Sequence, residues 1–129
     1  MFKKKEELDY AKVDTIIGKE TFFNGQFNGK GILRIDGKII GEINQSGDII
    51  VGETGVVEAN IKARHITVSG VVKGNIEASG LLQLLTTAKV YGDIKIHKLS
   101  IDDGAIFKGC CEMIREEKTI EKEESKKVG

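Results

Sequence analysis

The chain holds two histidines, His65 and His97, and two cysteines, Cys110 and Cys111. These are the side chains from which a zinc centre or a nucleophile would be drawn. Zinc takes imidazole nitrogens at about 2.0–2.1 Å, so its ligands must converge on one point. Adjacent cysteines make no disulfide framework, and unpaired thiols fit a reducing cytoplasm. Asp102-Asp103 has the composition of a carboxylate pair for acid–base work. It stands directly before Gly104, however, and aspartate in that position makes turns. The string GQFNGKG at 25–31 has the glycine density of a phosphate loop. Such a loop must open a helix, whereas Leu33 and Ile35 alternate as in a strand. No catalytic residue, cofactor site or metal ligand is assigned, and the chain is read as a non-enzyme.

The elements that would position any such group form a repeat. Gly55–Gly70 reads GVVEANIKARHITVSG and Val68–Gly80 reads VSGVVKGNIEASG, with the same order of Val-Val, charge, small residue, Asn and Ile. Aligned on the small residue, the phrase recurs at Gly25, Gly41, Ala59, Gly74, Gly92 and Gly109, with gaps of 16, 18, 15, 18 and 17 residues. Two positions earlier stand Phe23, Ile39, Val57, Val72, Val90 and Phe107. Two positions later stand Phe27, Ile43, Ile61, Ile76, Ile94 and Cys111. In a strand, residues two apart share a face, so all three positions are expected to point inward. A second strand follows each anchor, with the pairs Leu33/Ile35, Ile49/Val51, Ile66/Val68, Leu82/Leu84 and Leu99/Ile101. Turn residues come next: Gly37, Gly55, Gly70, Ala88 and Gly104.

A period near 17 is too short for helical repeats and suits one coil of a β-solenoid. A lone coil cannot cover its inner side, so only stacking removes these columns from water. The absence of proline agrees, because proline gives no N–H to a β ladder. The predicted fold is all-β: a single-stranded parallel β-helix of about six coils over 15–111. The charge-rich flanks 1–14 and 112–129 are expected to be mostly disordered. On this fold the anchors of His65 and His97 lie two coils, about 10 Å, apart. They cannot share a zinc within one chain; only a site between subunits would unite them. Both histidines, and Cys110, are expected at the surface, and Cys111 inside as a small core residue.

Length and charge bound the partners. The 129 residues suffice for one domain. The 20 basic and 20 acidic side chains cancel, which gives no footprint for nucleic acid. No apolar run is long enough to cross a bilayer. MFKKKEELDYAK has lysines without an apolar stretch behind them, so it is not read as a secretory signal, and a cytoplasmic location is expected. The five phenylalanines are Phe2, Phe22, Phe23, Phe27 and Phe107, and none falls in the middle coils. Two readings fit them: rings that plug the solenoid ends, or contact surfaces at those ends. Uncovered ends show unpaired backbone and apolar core, a template for another chain. Phe22, Phe23, Phe27, Ile106 and Phe107 are therefore the candidate interface.

The segments GILRIDGKIIGEI, GVVEANIKARHITVSGVVKGNI and KVYGDIKI, the spacing of the columns and the start MFKKK resemble the bactofilins, a bacterial polymer-forming cytoskeletal family. The resemblance covers the core from about Thr15 to Cys111. It implies a right-handed β-helix that polymerises end to end without nucleotide. It also implies membrane attachment through the short start. Met1 and Phe2 would insert while Lys3, Lys4 and Lys5 meet anionic headgroups on the inner face of the cytoplasmic membrane. The implied role is a homopolymeric scaffold that organises proteins of cell shape, wall synthesis or motility. Two alternatives stay open at this point. One is a trimeric left-handed hexapeptide β-helix, an acyltransferase or γ-carbonic-anhydrase-like enzyme, whose strict coils of eighteen the varying gaps disfavour. The other is a monomeric β-solenoid binding module.

Overall fold

The computed structural model describes residues 13–114. Alternation at period 2 produces strands throughout this span, and among the described residues there is no helix. The strands are β1 (Val13–Ile17), β2 (Phe22–Gly29), β3 (Ile32–Ile35), β4 (Lys38–Gln45), β5 (Asp48–Val51), β6 (Val56–Ala63), β7 (His65–Val68), β8 (Val71–Lys73), β9 (Ile76–Leu84), β10 (Lys89–Tyr91), β11 (Ile94–Ile101), β12 (Ile106–Lys108) and β13 (Cys111–Met113). The ladder therefore begins before Thr15 and continues past Cys111, into both segments expected as tails. Every pairing is parallel, each strand bonding to its equivalent in the next coil. The described residues form a parallel β-solenoid of six coils.

Three ladders make three faces. The first face contains β1, β3, β5, β7 and the C-terminal halves of β9 and β11. The second contains the N-terminal halves of β2, β4 and β6, then β8, β10 and β12. The third contains the remaining halves of β2, β4, β6, β9 and β11, with β13. Inward columns stack Ile on Ile and Val on Val. Ile39, Val57, Val72 and Val90 are fully buried, and Ile43, Ile61, Ile76 and Ile94 nearly so. Burying each such side chain contributes roughly 1.5–3 kcal/mol, so the stacked columns dominate stability.

The uneven gaps have a local cause. Coils differ at two places only. The turn into the second face is either short, as at Asp36-Gly37 and Ser69-Gly70, or longer by two residues, as at Gly52–Gly55, Leu85–Ala88 and Asp102–Ala105. In the long form the last N–H donates to the first carbonyl at 2.9–3.1 Å. Asp102-Asp103 thus forms a turn. Two of the long turns lie over short ones: the hydroxyls of Thr54 and Thr87 donate to the Asp36 and Ser69 carbonyls, at 2.7 and 2.6 Å. The second variable place is the corner between the third and first faces, one residue shorter in the third and fifth coils.

His97 stands at one of these short corners, and His65 opens β7 directly after the other, at Arg64. His65 Nδ1 accepts the Leu81 N–H at 3.0 Å. His97 Nδ1 lies 3.2 Å from the Ile114 carbonyl oxygen, which only accepts, so His97 Nδ1 carries the proton. Each ring spans one coil to the next as a backbone staple. Gly80 leaves room for it, since a side chain at Gly80 would strike the His65 ring.

The small-residue column also differs from its expected inward orientation. Gly41 and Gly92 have φ of 133° and 135°, and a Cβ on either would collide with the carbonyl oxygen of the preceding coil's Gly25 or Gly74. Glycine stands there because the chain bends between the second and third faces against the backbone next to it. Ala59, in the same column, keeps a negative φ and is buried.

Candidate functional site: the two ends of the solenoid

The columns that are dry in the middle coils become wet where stacking stops. At the first coil, Ile17 closes one column at 6% exposure. Phe23 and Phe27 head two others. Both are half-buried against the core, with ring centroids 6.0 Å apart and planes at 77°. Edge-to-face rings of this kind cover a coil that has no described strand above it. Phe22 alternates outward and is 59% exposed, with the Lys38 ammonium 5.9 Å from its ring centroid.

At the last coil the same columns end in Leu99, Ile101, Phe107, Cys111 and Met113. Leu99 and Phe107 are half-buried, while Ile101 and Met113 are 47% and 51% exposed. Ile106 alternates outward at 38% exposure. Cys111 was expected inside, and it does pair in register with Ile94. It is nevertheless exposed, as is Cys110, because among the described residues no further coil lies over it. Its sulfur sits 4.0 Å from that of Met113.

The candidate interface residues therefore fall into two groups, Phe22, Phe23 and Phe27 on one end and Ile106 and Phe107 on the other, separated by four coils. Met1, Phe2, Lys3, Lys4 and Lys5 lie outside the described residues. Ile101 and Met113 belong to the end surface but were not singled out from sequence. Met113 could have been found by continuing the inward alternation two residues beyond Cys111.

Elsewhere the third face carries an open groove of about 530 Å³, walled by Asn60, Lys62, Glu77, Asp93 and Lys95 among others. One of its outward columns alternates Lys62, Glu77, Lys95 and Glu112 from coil to coil, with no histidine beside them. Among the described residues no three His, Cys, Asp or Glu side chains cluster as a metal site, and no helix is long and apolar enough to cross a membrane.

One core position is polar. Gln45 is 5% exposed in a column otherwise held by Gly29, Ala63, Ala78, Ile96 and Met113. Its Nε2 donates to the carbonyls of Lys30 and Gly31 at 3.1 and 3.0 Å, while its Oε1 is buried without a partner. The two carbonyls fix which way the amide points, and with it the corner of the first coil.

Comparison with known proteins gives one answer throughout. Residues 15–112 match the model of the bactofilin family, described as polymer-forming cytoskeletal. Bactofilin BacO of Myxococcus xanthus is 38% identical over 105 residues, covering 81% of this chain and 83% of that protein. Bactofilin BacP of the same organism is 36% identical over 110 residues, 84% of this chain but only 46% of that protein, so the chain spans about half of that longer relative. Among solved structures, a cryo-EM reconstruction of Thermus thermophilus bactofilin double helical filaments superposes with a TM-score of 0.73 at 34% identity, over 76% of this chain and 97% of that one. A crystal structure of a phenylalanine-to-arginine mutant of the same bactofilin gives 0.65 at 34% identity, over 68% of this chain and 98% of that one.

Proposed function

The chain belongs to the bactofilin family of polymer-forming cytoskeletal proteins, and from that premise we propose that it builds homopolymeric filaments by end-to-end contact of its solenoids, without nucleotide and without catalysis. The observation that carries this reading is the uncovered apolar surface at both ends. Ile101 and Met113, members of inward columns, stand half in water at one end, and Phe23 and Phe27, which head two inward columns, are only half-buried at the other. Unpaired parallel strands border the same surfaces, so a second copy offers both backbone partners and apolar cover. A filament formed by the Thermus thermophilus relative supports the mode of assembly. Membrane attachment through Met1, Phe2, Lys3, Lys4 and Lys5, and the organisation of client proteins for cell shape, wall synthesis or motility, complete the proposal. A filament multiplies a weak anchor by avidity.

Phe107→Arg tests the contact. A charge at a buried joint is costly to desolvate unless paired, whereas in the free subunit arginine reaches water past the last coil. The variant should remain folded, with wild-type β content by circular dichroism, and should form no filaments by negative-stain microscopy. Normal filaments would remove Phe107 from the joint; an unfolded protein would make it an end plug. Deleting residues 1–5 should release the protein from anionic vesicles and leave filaments intact, and undiminished co-sedimentation would dismiss the anchor.

A further inference from the structure

The outward positions of the three faces differ in a way that no repeat requires. On the third face no aliphatic or aromatic side chain points outward, and the acids Glu42, Glu77, Asp93 and Glu112 outnumber Lys62 and Lys95. On the first face the outward Ile16, Ile32, Ile50 and Leu81 are interspersed with balanced charge, and Arg34 and Arg64 are held by Asp36 and Asp48, each at 3.0 Å. The second face combines apolar surface with excess positive charge. One outward column runs Phe22, Lys38, Val56, Val71, Lys89, Ile106. The other runs Asn24, Ile40, Glu58, Lys73, Tyr91, Lys108. Four exposed lysines face one glutamate, and neither ion pair among the described residues involves them. Glu20, Glu53 and Asp103 lie in the turns along one edge.

We infer that the second face of the solenoid is a docking surface for an anionic lipid bilayer. Six strands at about 4.8 Å spacing give it a length near 24 Å. Tyr91 lies in register between Lys73 and Lys108. An aromatic ring flanked by lysines suits the boundary between acyl chains and anionic headgroups. A second copy of the chain is the poorer occupant: its first face is apolar in part but balanced in charge, and so offers no negative counterpart to the lysines. Two second faces would set lysines against lysines, and the third face, though acidic, has no apolar side chain to cover Val56, Val71 or Tyr91. A bilayer supplies both the negative charge and the apolar medium. This deepens the membrane attachment proposed above and rests on it, but through residues other than the first five. It orients the solenoid axis parallel to the membrane.

The test uses the full chain with vesicles of equal parts phosphatidylcholine and phosphatidylglycerol, and with phosphatidylcholine alone. Joint reversal of Lys38, Lys73, Lys89 and Lys108 to glutamate should weaken binding to the anionic vesicles at least tenfold more than the same reversal of Lys30, Lys62, Lys95 and Lys98, which lie off this face. Equal losses in the two variants would overturn the proposal. The chain contains no tryptophan, so Tyr91→Trp reports from the face alone, even if the fourfold variants fold poorly. Its emission should shift to the blue with anionic vesicles and stay unchanged with phosphatidylcholine; no shift with either overturns the proposal. Deletion of residues 1–5 in the same assay separates the two contacts. If the deletion alone abolishes binding and the face variant binds normally, the anchor stands and the face falls. If the deletion changes nothing and the face variant is released, the face stands and the anchor falls. Microscopy of each variant checks that filament length, and hence avidity, is equal.

Discussion

The two ends of this solenoid terminate the same columns with different chemistry. The first coil ends in Phe23 and Phe27, whose rings lean edge to face over the core, and in Ile17, which is almost dry. The last coil ends in Phe107, Ile101, Cys111 and Met113, three of them exposed outright. Bulk explains the contrast. A ring at a column head reaches sideways over its neighbours, whereas cysteine covers only its own position. Among the described residues the first end partly seals itself and the last end is left open, so the two should answer differently to the same substitution. The middle coils supply the reference, because there each column is covered on both sides.

The largest effect should separate middle from end within one column. Ile76 and Cys111 occupy equivalent positions two coils apart. Ile76→Asp buries a carboxylate with no partner, at a cost of several kcal/mol, and should abolish folding. Cys111→Asp leaves its charge in water and should change stability by less than about 0.5 kcal/mol, while suppressing filaments. Circular dichroism melts of the pair decide this; a folded Ile76→Asp with unchanged melting would undo the column assignment.

A smaller effect should distinguish the ends. Phe27→Ala removes a half-buried ring and its partner for Phe23, and should destabilise the monomer by about 2 kcal/mol, below the range of a fully buried ring. Cys111→Ala should cost under about 0.5 kcal/mol, as for a surface site. Urea denaturation of both in a non-polymerising background measures the difference. Equal losses would mean that the first end is no better sealed than the last.

The smallest effect concerns the corner beneath the first coil. Gln45→Ala deletes two hydrogen bonds but also removes an unpartnered buried oxygen. The two changes oppose each other, and a net loss of about 1 kcal/mol is expected. A gain in stability would show that the orphaned oxygen outweighs the corner bonds.

Much of this was legible in the residues. Ile39, Val57, Val72 and Val90 declared their column because strand alternation is strictly local and the phrase repeats often enough to align. The candidate ends were legible for the same reason, since Phe23 and Phe107 are the first and last members of that column. Three things were not. Cys111 has the right place in the repeat but lies exposed, because burial depends on a coil that would have to follow it. His65 and His97 gave no sign of stapling neighbouring coils, since their partners Leu81 and Ile114 are set by corners whose length no single phrase reveals. Gln45 alternates as an inward residue, but nothing in its own strand shows that the carbonyls of Lys30 and Gly31 come within reach of its amide.

The sequence by itself determined which side of each strand faces the core, because that is a matter of period within a few residues. Only the tertiary structure decided what stands beside what on the outside. Lys73, Tyr91 and Lys108 are neighbours through parallel registers between β8, β10 and β12. Those registers are set by turns and corners of unequal length, which the periodicity of any one strand does not contain.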